Sequence, residues 1–272
     1  MLKRSRGMKK IPRVAIVIPA HNEQERIGET LRSYGGYFER LRKEKKLDYE
    51  ILAVINASKD RTIDIVKSES AKNRHIKYID LVKGGKGYAV IEGFKQELKE
   101  GFEIIGFVDA DMATPPEAFY DLVKNIKGFG GAIAGRWMEG SIIKTPHTPF
   151  RKIMSWGFIS LVKAVLFLNY HDTQCGAKMF SSEALKKVIP NLGLTQWAFD
   201  IEVLFWMKKY GFRVIEIPTI WEDKKGSKLH PLKVPFQMFT SVIRLRLLHS
   251  PLNFIVKGYD RLPEALKIHH RL

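Results

Sequence analysis

Short apolar, β-branched runs alternate with amphipathic segments through the first half of the chain, and this alternation most restricts how it can fold. Arg13 to Ala20 and Tyr49 to Ile55 read as buried strands, and Ile76 to Leu81 and Glu103 to Val108 as a third and a fourth strand. Between them Glu23 to Tyr34, Asp60 to Lys72 and Gly87 to Glu100 read as helices, and Pro115-Pro116 opens another. Strand and helix recur roughly every 25–30 residues, the signature of a mostly parallel sheet with helices on both faces. Such sheets bind ligands beyond the carboxyl ends of their strands. Pro19, Asn56, Gly84-Gly85-Lys86 and Asp109 all stand at strand ends, so one sheet edge is expected to carry the site.

The second half is less regular. It predicts a strand over Gly131 to Gly135, an apolar helix over Phe150 to Leu168, a loop and strand over Asp172 to Phe180, a helix over Thr195 to Tyr210 and a strand over Val214 to Pro218. The charge is also unevenly spread. Residues 1–143 carry 26 Lys and Arg against 20 Asp and Glu, whereas residues 144–272 carry 20 against 9. A net charge of +17 attracts polyanions, whether nucleic acid, an anionic membrane or a phosphorylated substrate. No nucleic-acid-binding module is recognisable, so nucleic acid is not an expected partner. The basic residues are interleaved with aliphatic and aromatic ones in Phe150 to Leu168 and Leu232 to Leu248, a pattern suited to lying in a membrane interface. Neither stretch reaches the ~20 uninterrupted apolar residues of a spanning helix. A single cysteine, Cys175, rules out an intrachain disulfide and fits a reducing compartment. The basic first ten residues are followed by no apolar signal core, so a cytoplasmic, peripheral protein is expected.

Asp109-Ala110-Asp111, directly after an apolar strand, is the strongest chemical motif. Two carboxylates at a strand end suit Mg²⁺ or Mn²⁺, hard ions that often take only one or two protein oxygens and complete their shell from substrate phosphates. Gly84-Gly85-Lys86-Gly87 lets backbone and a cation approach a phosphate at a helix start. Asp200, among large apolar neighbours in Trp197 to Glu202, either pairs structurally or faces the site. Arg136, Arg151 and Lys228 stand near aromatics and together suit a phosphate head group. The histidines show no zinc spacing.

Taken in order, Ile18-Pro19-Ala20-His21-Asn22-Glu23, Ser58-Lys59-Asp60-Arg61-Thr62, Gly85-Lys86-Gly87, Asp109-Ala110-Asp111, Asp172-Thr173-Gln174-Cys175-Gly176 and Trp197-Ala198-Phe199-Asp200 resemble glycosyltransferase family 2. Within it they are most similar to the dolichyl-phosphate glucosyltransferase and mannosyltransferase group, over about residues 12–230. The fifth and sixth segments favour the glucosyltransferase branch. The resemblance implies a GT-A fold, an α/β architecture with a Rossmann-like nucleotide-sugar-binding sheet. It places that domain at residues 1–225 and leaves 226–272 as a basic, apolar tail of membrane-interface helices. It implies a UDP- or GDP-sugar donor, a lipid phosphate acceptor, Mg²⁺ or Mn²⁺, and inversion at the anomeric carbon. By the same resemblance Pro19, His21, Glu23 and Asn56 line the nucleotide pocket and Lys86 approaches the donor phosphates. Asp109 and Asp111 hold ribose and metal, and Asp200 matches a catalytic base. Arg136, Arg151, Ser227 and Lys228 match positions that grip the acceptor phosphate. One departure stands out. Ile55 and Asn56 occupy places where the family usually carries two acids, which leaves the nucleotide base and the sugar open. The expected function is therefore hexosyl transfer from a nucleotide diphosphate to dolichyl phosphate. The alternatives are GDP-mannose as donor, a sugar hydroxyl as acceptor, or nucleotide or nucleic-acid binding without catalysis.

Overall fold

The computed structural model describes residues 11–145, 148–193, 198–223 and 233–260. Seven strands form one sheet in the order β3-β2-β1-β4-β7-β5-β8. The strands are β1 (Arg13–Ala20), β2 (Asp48–Asn56), β3 (Ile76–Leu81), β4 (Ile104–Val108), β5 (Gly131–Gly135), β7 (Ala177–Ser181) and β8 (Val214–Pro218). Every pairing is parallel except those of β7 with β4 and β5. A two-stranded parallel ribbon joins β6 (Ile142–Ile143) to β9 (Ile220–Trp221).

The pleat explains the apolar runs. In β1, Val14, Ile16, Ile18 and Ala20 pack into the core on one face of the sheet, and Ala15 and Val17 into the core on the other. The first core is covered by α1 (Ile27–Lys43), α2 (Thr62–Lys72) and α4 (Pro116–Asn125). The second is covered by α3 (Lys86–Lys99), α6 (Ser182–Val188) and α7 (Phe199–Lys209), with α5 (Pro149–Leu166) and α8 (Lys233–Leu248) reaching it through Val162, Leu166, Val242 and Leu245. A last helix, α9 (Asn253–Asp260), follows. Among the described residues no helix is long and apolar enough to cross a membrane.

Besides the β6–β9 ribbon, which the sequence did not suggest, two helices differ from the sequence expectation. α1 begins later and runs nine residues past Tyr34, through Gly35-Gly36. Ile27, Leu31, Tyr34, Phe38 and Leu41 form one buried stripe, so packing overrides the weak helix propensity of the glycine pair. α6 was not expected; Ser181 starts it by accepting from Ala184 N, a local cap that a seven-residue segment hides from periodicity.

Glu97 of α3 is fully buried, and neither carboxyl oxygen has a hydrogen-bond partner. Burial, reinforced by the charges of Glu50 and Glu100 against Arg13, pushes its carboxyl up to about 8. A folded pKa above the unfolded value means stability is fully present below about pH 4.5 and is lost as pH rises through about 8. Glu97→Gln removes that loss. We expect its melting midpoint at pH 9 to exceed that of the unmodified chain by roughly 5–10 °C, with little difference at pH 5, read by circular dichroism.

Candidate functional site

Six of the seven strands run the same way and end at one edge of the sheet, and antiparallel β7 begins there. β4 therefore delivers Asp109 beside the loop that precedes β7, with Asp109 N donating to Gly176 O at 3.0 Å. The approach is so close that a Cβ on Gly176 would lie 1.9 Å from Asp109 Oδ2. Opposite, Gly85 sits at φ 127°, a backbone that favours glycine, and starts α3 with Lys86 aimed back at the strand end. Lys86 Nζ reaches Asp109 Oδ1 at 2.6 Å. Burial opposes the lysine's charge, yet the carboxylates of Asp109 and Asp200 outweigh it and raise its pKa. Burial also raises Asp109, as do its neighbours Asp111 and Asp200, against the pull of Lys86. Asp109, Asp111 and Asp200 thus gather near the edge of β4 around two lysines, Lys86 and, on Asp200, Lys178 of β7.

The acid loop is braced from two sides. Thr30 Oγ1 donates to Ala110 O and Tyr34 Oη to Thr114 O, both at 2.7 Å, from α1. Glu222 N, just past β9, donates to Ala113 O at 2.9 Å. Asp111 Oδ1 accepts from Ala113 N at 3.0 Å, and Met112 between them is held at φ 60°, left-handed backbone that a non-glycine residue rarely adopts.

The sequence-predicted nucleotide residues fall into two groups. Pro19 is buried within β1 against Val54 of β2. Asn56, only 2% exposed, donates to Ala20 O at 3.1 Å and accepts from Gly85 N at 3.2 Å, so it ties the ends of β1 and β2 to the glycine turn. His21 Nδ1 donates to Asn56 O at 2.7 Å and remains exposed on its other side. Glu23 is paired with Arg26 through both oxygens at 2.7 Å. Asp60, given no role from sequence, accepts from Gln24 N and from Thr62, and so fastens the β1 exit to the start of α2.

A second cluster of charge lies around Trp221. Arg136 follows β5 and is clamped by Asp172 at 2.6 and 3.0 Å. Burial works to raise Asp172, but the Arg136 guanidinium and backbone donors hold it below the usual carboxylate range. Glu216 of β8 fixes the same turn by accepting from His171 N and Asp172 N. The guanidinium carbons of Arg136 and Arg151 sit 5.4 and 5.6 Å from the Trp221 ring centroid, and Arg151 is ion-paired with Asp223. Ser227 and Lys228 lie outside the described residues. Asp200, in the first turn of α7, is bound by Lys178 of β7 at 2.5 Å. Glu216, Asp223 and Lys178 were not singled out from sequence, and Asp172 was named only within a motif and given no role, because each takes its meaning from a partner 22 to 72 residues away.

No group of three or more His, Cys, Asp or Glu side chains that could hold a metal gathers among the described residues. Asp109 and Asp111 therefore fit a hard divalent cation whose remaining ligands come from a diphosphate and water, and fit poorly a fully protein-bound ion.

The family model Glycosyl transferase family 2 matches residues 15–189. A dolichyl-phosphate beta-glucosyltransferase of Dictyostelium discoideum is 30% identical over 244 residues, covering 86% of this chain and 73% of that protein. One from Trichomonas vaginalis is 35% identical over 222 residues, covering 78% and 65%. The human dolichyl-phosphate beta-glucosyltransferase is 30% identical over 250 residues, covering 86% and 75%. Among solved structures, glucosyl-3-phosphoglycerate synthase from Mycobacterium tuberculosis, in complex with Mn²⁺, UDP and glucosyl-3-phosphoglycerate, superposes with a TM-score of 0.62. It is 16% identical and covers 87% of this chain and 79% of its own, a likeness of fold.

Proposed function

This chain belongs to glycosyl transferase family 2 and has the GT-A fold of a hexosyltransferase, and from that premise we propose that it moves glucose from UDP-glucose onto the phosphate of a dolichyl-type lipid. The observation that carries the acceptor half of this reading is the pair of guanidinium groups on Trp221. Planar guanidinium donors suit a phosphate monoester, and Glu222, the next residue, is bonded to the loop that bears Asp111.

The chemistry needs little from a general base. A phosphate monoester has a second pKa of about 6 and is already ionised near neutral pH. One of its oxygens attacks the anomeric carbon from the face opposite the nucleotide, giving inversion. As that bond forms, the bond from carbon to the diphosphate breaks and its electron pair leaves with the nucleotide. Lys86 draws the diphosphate to the strand edge, and Arg136 and Arg151 orient the acceptor. Asp109 and Asp111 would hold Mg²⁺ or Mn²⁺, which supplies positive charge to the leaving diphosphate. Asn56 acts at one remove, by setting the turn that presents Lys86.

The lipid substrate calls for access to a membrane, and the first half of α5 supports it. Phe150, Ile153 and Trp156 are 58%, 66% and 56% exposed, beside Lys152. In this reading that face rests on the cytoplasmic leaflet, and the basic residues of the second half meet its anionic head groups. We expect Ile153→Ser with Trp156→Ser to lower co-sedimentation with phosphatidylserine-containing vesicles roughly tenfold, without moving the melting midpoint.

The direct test is transfer from radiolabelled UDP-glucose and GDP-mannose, with Mn²⁺, to dolichyl phosphate and to dolichol. The reading predicts an organic-extractable product from UDP-glucose and dolichyl phosphate alone. Transfer from GDP-mannose, or to an acceptor hydroxyl, overturns it.

A further inference from the structure

We propose that Lys178, acting through Asp200, is a positioning residue for the transfer, a role that rests on the hexosyltransferase reading above. Lys178 projects from β7, the antiparallel strand between β4 and β5, and is 0% exposed. An ammonium in such a place is unfavourable unless it is paired and hydrogen-bonded, and an apolar side chain of similar volume would often serve the fold as well. It has two partners. One is Cys175 O at 2.6 Å, in the turn that presses Gly176 against Asp109. The other is Asp200 Oδ1 at 2.5 Å. Its ammonium also lies 5.4 Å from the centre of the Phe107 ring, and Lys86 lies 5.6 Å from the same centre.

The consequence concerns what Asp200 does. Through Lys178 it is tied to the Cys175–Gly176 turn that holds Asp109 N, and the Lys178 and Lys86 ammonium groups flank the same Phe107 ring. It sits in the first turn of α7, where the helix end favours an anion, and the Lys178 bond fixes its orientation. A carboxylate held this way by a sealed cation is a fixed negative charge. The transfer needs no more from it. The acceptor oxygen supplies its own lone pair to the anomeric carbon, the diphosphate departs with the electrons of the broken bond, and no proton changes hands. Positive charge grows on the sugar between these events, and Asp200 stabilises it. Lys178 keeps Asp200 in place and the Cys175 turn closed.

The test is a double-mutant cycle on kcat and on KM for the donor, with a short-chain polyprenyl phosphate as acceptor. Transfer by the unmodified chain is measured first, because its absence refutes the hexosyltransferase reading and leaves the cycle undefined. We expect Lys178→Met to lower kcat roughly 100-fold with KM within about threefold. In an Asp200→Asn background the same change should lower kcat no further. Lys178→Arg, which keeps the charge, should recover at least tenfold over Lys178→Met. Equal losses in both backgrounds, or a change confined to KM, overturn the proposal. If Lys178→Met fails to fold, Lys178→Gln carries the same comparison.

Discussion

Asp111→Asn is expected to reduce hexosyl transfer by on the order of a thousandfold while leaving the fold intact. The substitution is nearly isosteric. The asparagine carbonyl still accepts from Ala113 N, the bond that holds the turn at 3.0 Å and keeps Met112 at its left-handed φ. Thr30, Tyr34 and Glu222 continue to brace the neighbouring carbonyls. What is lost is one negative charge from the three that gather around Lys86 and Lys178. A rate near that of the unmodified chain, with saturating Mn²⁺, would show that this carboxylate has no part in stabilising the departing diphosphate. Melting curves should coincide within a few degrees, which separates chemistry from folding.

Gly176→Ala tests the same site by geometry in place of charge. The new methyl would lie 1.9 Å from Asp109 Oδ2 and 2.3 Å from Cγ, distances that real atoms do not tolerate. Either the carboxylate swings away and gives up its 2.6 Å contact with Lys86, or the Cys175–Gly176 turn moves. The turn is held by the Lys178 ammonium and by Asp109 N, so the side chain is the softer element. We expect kcat to fall roughly 100-fold with a destabilisation of only about 1–3 kcal/mol. Unchanged kinetics in a folded Gly176→Ala protein would mean that Asp109 need not stay where the structure holds it.

How much of this was written in the sequence depends on whether a feature is local. The strands β1, β2 and β4 were legible because both of their faces are buried, which leaves continuous apolar runs ended by Pro, Asn or Asp. The placement of Asp109, Asp111 and Lys86 at one sheet edge was legible for the same reason, since each follows directly on a strand or the turn after one. The extent of α1 was not, because Gly35-Gly36 argues locally for a stop while Phe38 and Leu41 are rewarded only by the folded core. The charge partners were the least visible. Lys178 looks like a solvated lysine in an apolar strand until antiparallel β7 places it under Asp200. Asp172 looks like a turn residue until Arg136, 36 positions earlier, arrives with β5. Asn56 changed meaning: a residue expected to face the nucleotide is spent on Ala20 and Gly85, so the missing acids of the β2 exit are replaced by a structural brace.

All of the proposed chemistry presumes that the acid loop after β4 holds a divalent cation together with a nucleotide diphosphate. Titrating Mn²⁺ into the protein and following the free ion by electron paramagnetic resonance, with and without UDP, measures this without turnover. One ion per chain should bind tightly when UDP is present, and Asp111→Asn should abolish that binding. Mn²⁺ uptake that is indifferent to UDP, or unchanged by Asp111→Asn, would contradict it.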